Sequence, residues 1–161
     1  MSMPTNQRYR RRQRGSAIVE FALGSSILMA VFTGTFKFGY TFYVYNNLQT
    51  AVNNGAKYAA LRPYEPTTST PEACFKTAVQ NMVAYGDPSG TTTTPVAPGL
   101  TPSKVTLTVN FAKGVPSSMT VGITGYAINA VVASFTLTNK PEATYPYLGR
   151  YAGGDGETCV K

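Results

Sequence analysis

The chain has 161 residues, 43% of them hydrophobic, with no His, no Trp and a formal charge of +7. That length holds one modest domain plus an appendage, and the lack of His removes the commonest general base, the usual catalytic triads and most zinc sites. Arg8, Arg10, Arg11, Arg12 and Arg14 carry +5 of the net +7 ahead of any acid, leaving a net +2 for the rest, so no basic surface follows to bind nucleic acid.

The arginine cluster ends at Gly15, and the chain continues Ser16-Ala17-Ile18-Val19-Glu20-Phe21 into apolar and small residues as far as Phe36. From Phe21 to Val44 the one charge is Lys37. A helix over that stretch spans roughly 36 Å, enough to cross a bilayer core of about 30 Å. Lys37 can snorkel toward the outer interface, and Tyr40, Tyr43 and Tyr45 follow as an interfacial aromatic belt with the arginines on the inner side. A removable signal peptide fits less well, because the run is long, contains Glu20 and passes into Lys37-Phe38-Gly39-Tyr40 without a small-x-small site. Glu20 is expensive in lipid unless something pairs with it. Cutting after Gly15 would create an amino group at Ser16 suited to the Glu20 of a neighbouring copy.

Helical periodicity continues past the membrane-length run. Leu48, Ala51, Val52, Gly55, Ala56, Ala59 and Ala60 form an apolar face, and Pro63 and Pro66 close it. One helix from about Ser16 to Leu61 is expected. Small residues recur every fourth position at Ala22, Ser26, Ala30 and Gly34, and again at Ala51, Gly55 and Ala59. In a membrane such a stripe lets helices approach closely, so the first four are a candidate helix-contact seam.

Beyond the Pro/Thr-rich link Pro63–Ser69, Thr70-Pro71-Glu72 reads as N-cap, first-turn proline and first-turn acid. The helix presents Phe75, Val79, Met82 and Val83 on one face and stops at Tyr85-Gly86. A Gly/Pro/Thr loop over Asp87–Ser103 includes Thr91-Thr92-Thr93-Thr94 and has the length of a functional or a disordered segment. Val105, Leu107, Val109 and Phe111 then alternate with polar residues, and Met119, Val121 and Ile123 repeat the pattern after a Lys113-Gly114-Val115-Pro116 turn, predicting an antiparallel hairpin. Residues 127–137 read as strand or as a short helical crossover. Ala143–Leu148 is a last strand at a sheet edge, where Pro146 is tolerated. The fold class is α+β.

Asp155 and Glu157 in the Gly-rich tail lack the ligand spacing of a calcium loop, and neither a metal nor a cofactor is expected. Cys74 and Cys159 lie on the outer side of the proposed anchor, where an isolated pair forms a disulfide; two buried free thiols are the alternative.

Taken with Gly15 and Glu20-Phe21-Ala22-Leu23, the residues Phe38-Gly39, Phe42-Tyr43, Tyr45-Asn46, Leu48-Gln49, Ala51-Val52 and Gly55-Ala56-Lys57-Tyr58-Ala59-Ala60 give the chain its family likeness. It resembles the TadE-like pseudopilins, minor subunits of tight-adherence (Flp, type IVc) pili, and a looser likeness extends over residues 79–86, 98–100 and 145–149. Two departures stand out: Ser25-Ser26 where many members have a Pro, and Lys37 and Tyr40 where many have an acid and an Arg. The resemblance implies a non-enzymatic subunit cut between Gly15 and Ser16 by a prepilin peptidase, with Glu20-Phe21 serving assembly. Its partners would be the membrane, other pilin or pseudopilin subunits and the pilus assembly machine, with no small-molecule substrate. The organisation expected is a cleaved leader 1–15, a helix 16–62 spanning the inner membrane in its first half, and an exported head 63–161. A permanently anchored envelope protein with an exported binding head is the alternative.

Overall fold

The computed structural model describes residues 6–64, 70–129 and 134–149, with side chains from Gly15 onward. Helix α1 covers Asn6–Leu61 and helix α2 covers Ala73–Tyr85. The strands are β1 (Val105–Ala112), β2 (Val115–Ile123), β3 (Tyr126–Asn129), β4 (Ser134–Leu137) and β5 (Glu142–Pro146). One sheet is antiparallel in the order β1-β2-β5, and β3 and β4 form a separate antiparallel pair. This is an α+β arrangement. Two compact units divide the chain, residues 1–40 and residues 41–161.

Helix α1 starts ten residues ahead of the expected Ser16. Asn6–Arg14 contains no Pro or Gly and is rich in Arg and Gln, which favour helix, so nothing local stops the helix from extending upstream.

In the second unit, the face of α1 expected from periodicity is the buried one: Leu48, Ala51, Val52, Gly55, Ala56, Ala59 and Ala60, joined by Val44. Opposite lies α2, which buries Phe75, Val79, Val83 and Ala84, whereas Met82 is only half-buried. Gly55 makes the close approach possible, because a Cβ there would run into the Val83 side chain. Gly55→Leu should therefore push α2 away and cost about 1–3 kcal/mol through overpacking. Gly39→Ala, with open space around its position, should cost nothing. Thermal melting of the detergent-solubilised protein checks the pair, and equal midpoints for Gly55→Leu and wild type would contradict this packing.

The first turn of α2 corrects the expected cap. Glu72 is the N-cap, with φ −55° and ψ 147° and no capping side chain, so Thr70 and Pro71 lie outside the helix. Its carbonyl accepts Lys76 N–H at 2.9 Å. Phe75 sits edge-on to Tyr64, with centroids 5.5 Å apart, so burial of this aromatic pair fixes the first turn in place of the local Thr-Pro signal. At the other end Gly86 takes the left-handed conformation (φ 73°) and its N–H bonds Met82 O, closing the helix where expected.

Residues 87–103 are ordered by their own hydrogen bonds. The exposed Asp87 carboxylate accepts from Ser89 Oγ and Thr91 Oγ1, both at 2.6 Å, and from the Ser89 and Thr92 N–H groups at 3.0 and 3.1 Å. These donors, led by the Ser89 hydroxyl, hold its carboxyl well below the usual carboxylate range. Farther on, Val96 N–H bonds Ala84 O at 2.9 Å, Ala97 and Leu100 are buried, and Tyr126 Oη donates to Pro98 O at 2.7 Å.

Strands β1 and β2 pair in the register Leu107↔Val121 and Val109↔Met119. The turn between them is Lys113-Gly114 alone, both at positive φ (53° and 79°), which suits a two-residue hairpin loop. Val115 and Pro116, expected in the turn, belong to β2. A register shift between Asn110 and Phe111 sets Pro116 opposite Phe111, and such an irregularity tolerates a proline inside a ladder. Within 127–137 the described residues are strands, with Ile128 paired to Phe135 and Tyr126 to Leu137, and residues 130–133 lie outside the described residues. Strand β5 lies at the edge of the larger sheet, with Met119↔Tyr145 and Val121↔Ala143. On the outer face Thr120 and Thr144 share a hydroxyl hydrogen bond at 2.8 Å, and Asn110 Nδ2 donates to Ser118 Oγ and Thr120 Oγ1 at 3.0 and 3.2 Å.

Candidate functional site

The last carbonyls of a helix lack partners along its own backbone. For α1 they are met by the segment after β5: Leu148 N–H bonds Ala60 O at 2.9 Å and Tyr147 Oη donates to Arg62 O at 3.0 Å. Gly149 has to be small there, since a Cβ would collide with Arg62 O. Lys57 Nζ lies 5.7 Å from the Tyr145 ring centroid. The stretch Tyr145-Pro146-Tyr147-Leu148-Gly149, read from the sequence as the end of an edge strand and as a family likeness, thus fastens the end of α1. Beside it is an open apolar cleft of about 200 Å³ lined by Lys57, Ala60, Leu61, Tyr145, Pro146 and Leu148. Among the described residues no three His, Cys, Asp or Glu side chains gather where a metal could bind.

The other region of interest is the first unit, which holds every residue expected to act in cleavage or assembly. Large apolar side chains from Ile18 to Phe38 are 60–78% exposed. Apolar residues on all sides of a helix require either a protein core or a bilayer, and the apolar window of this helix is not buried in protein. Gly15–Leu61 is long and apolar enough to cross a membrane. Three hydroxyls in the run are satisfied within the helix: Ser25 Oγ donates to Ala22 O at 3.0 Å, Ser26 Oγ to Leu23 O at 2.8 Å and Thr35 Oγ1 to Val31 O at 3.0 Å. Bonding of this kind removes much of the penalty for placing them in lipid. Tyr40, Phe42, Tyr43 and Tyr45 remain exposed, and Val44 is the first buried residue among the described side chains of α1.

Within that helix Ser16 and Glu20 are four residues apart and share a face. Glu20 and Phe21 are exposed, and Glu20 has no ion-pair partner among the described residues. Ala22, Ser26 and Ala30 are exposed and Gly34 half-buried. Their spacing follows the row of residues four apart, which winds slowly about the axis and suits right-handed helix crossings. The corresponding residues of the second unit, Ala51, Gly55 and Ala59, are buried, and Gly55 faces α2. Cys74 stands exposed in the first turn of α2, and no cysteine among the described residues is free. Cys159 lies outside the described residues, as do Asp155 and Glu157.

Comparison with known proteins adds one match: the family model described as TadE-like protein aligns with residues 15–57. No curated protein and no solved structure matched the chain. The aligned segment starts at Gly15, takes in Glu20 and the exposed apolar helix, and ends at Lys57, beyond the buried Val44, Leu48, Val52 and Ala56 of α1. Over residues 15–57 the chain is thus similar to the TadE-like family, and the helix that carries the match is long and apolar enough to cross a membrane.

Proposed function

We propose that this protein is a pilin-like structural subunit, a pseudopilin, of a tight-adherence type IV pilus or secretion system, acting in pilus biogenesis or adhesion rather than in catalysis. The observation that supports the reading is one acid, Glu20, set five residues after Gly15 in a helix whose apolar side chains are exposed all round. In this reading a prepilin peptidase cuts Gly15–Ser16 and the new amino group pairs with Glu20 of a neighbouring copy. The Ala22, Ser26, Ala30, Gly34 seam packs against adjoining helices. The arginine cluster stays in the cytoplasm, the helix crosses the inner membrane, and the head is exported, in the oxidising compartment where Cys74 and Cys159 bridge.

A permanently anchored envelope protein is the second reading, and one observation favours it: α1 runs through the Gly15–Ser16 bond. A protease needs that backbone unwound. Gly is about 1 kcal/mol poorer than Ala in a helix interior, so Gly15 lowers the cost of unwinding at this bond. The test is the amino terminus of the protein from membrane fractions, read by mass spectrometry. Cleavage gives a start at Ser16, and Gly15→Leu should retain the leader. A wild-type protein found uncut would remove the main support for the pilin reading.

A further inference from the structure

The loop after α2 contains an uncharged run, Pro88-Ser89-Gly90-Thr91-Thr92-Thr93-Thr94-Pro95, directly behind Asp87. Its hydroxyls divide into two sets. Ser89 and Thr91 are drawn onto the Asp87 carboxylate at 2.6 Å each. The Thr92, Thr93 and Thr94 side chains are exposed and make no hydrogen bond among the described residues. The stretch is nevertheless held at both ends. The Asp87 knot fixes one side, through the Thr92 N–H, and the Val96 N–H to Ala84 O bond fixes the other at 2.9 Å. Gly90, at φ +71°, lies so close to Asn81 that a Cβ would meet its amide at 2.6 Å. Three adjacent hydroxyls are thereby presented outward on a fixed platform, with Pro95 next to them.

We propose that Thr92, Thr93 and Thr94 form an acceptor site for O-linked sugar. Hydroxyl-rich, proline-flanked segments on exported proteins are the composition that carries such glycans, and the proposal rests on the exported-head reading above. The chemistry needs a diphosphate-activated sugar and a separate transferase. A threonine Oγ attacks the anomeric carbon, the bond from that carbon to the diphosphate oxygen breaks, and the diphosphate leaves with the electron pair. The hydroxyl proton passes to a base of the transferase, and no oxidant or reductant is required. Ser89 and Thr91 are poor acceptors, because their hydroxyl protons are already committed to Asp87.

Trypsin cuts after Lys76 and Lys104 and releases the whole loop in one peptide, residues 77–104. In full-length protein from its native host, that peptide should be heavier than its sequence by whole sugar residues. Mild alkaline elimination should remove the increment and mark the threonines that bore it. The variant Thr92→Ala/Thr93→Ala/Thr94→Ala should return the peptide to its sequence mass while leaving the melting midpoint unchanged. External protease applied to cells with a permeabilised outer barrier separates the two readings. A wild-type peptide at sequence mass in a protein whose head is digested from outside overturns the acceptor site alone. A head digested only after the cytoplasm is opened overturns export and the acceptor site together.

Discussion

Glu20→Ala should enter the membrane at least as well as wild type and lose subunit association. A carboxylate at the centre of a membrane helix costs about 2.5–3.5 kcal/mol on insertion scales, and less toward the helix end, so removing it eases insertion. What the substitution takes away is the one anionic partner in the apolar run for a newly formed amino group at Ser16. Membrane fractionation should show the variant at normal levels. Cross-linking and co-purification of two differently tagged copies should fall to background. Normal association by Glu20→Ala would exclude the registering role and leave the acid without a function in this reading.

Breaking the Cys74–Cys159 bridge proposed above should have the largest stability effect expected for the head. The loop it closes restricts the unfolded chain by about 4–5 kcal/mol in the chain-entropy description. For a chain of this size, loss of that term lowers the melting midpoint by roughly 10–20 °C. Melting with and without reductant measures it, and Cys74→Ser should match the reduced wild type. Peptide mapping without reduction should recover the two cysteine peptides as one linked species. Free thiols in protein alkylated at lysis would count against the bridge, and against an exported head as well.

Several features of this molecule could be read directly from residue order, and the reasons are local. The buried face of α1 repeats with the helical period, so Leu48, Val52, Ala56 and Ala59 announce themselves without knowledge of what covers them. Gly86 ends α2 by a backbone conformation that other residues adopt at a cost. Alternation placed β1 and β2 for the same kind of reason. The failures are all cases where a distant contact decides. Tyr64 looked like part of a linker, yet it is buried against Phe75 and Phe111, and the first turn of α2 follows from that packing. The sequence over residues 127–137 is compatible with either period, and only pairing between β3 and β4 selects the extended form for Ala127–Asn129 and Ser134–Leu137. Asp87 seemed one more polar loop residue because its four donors come from residues that are individually unremarkable in composition. Of the membrane-proximal features, Gly15, Glu20 and the Ala22, Ser26, Ala30, Gly34 seam were visible as pattern alone. In the proposed function their partners are other molecules, which a single chain does not contain.

The fastening of α1 by Tyr147, Leu148 and Gly149 imposes an order of events on biosynthesis. Chains emerge from the ribosome amino end first, at about 5–20 residues per second. The helix is made early, yet the Tyr147 hydroxyl that meets Arg62 O is 85 residues downstream. Strand β2 likewise waits for β5 before it has a neighbour on its second side. During the intervening seconds the nascent head has an unfinished sheet and an open helix end. Closure of this helix end waits until Tyr147, Leu148 and Gly149 have been made, so these residues act as a late latch on an element formed early.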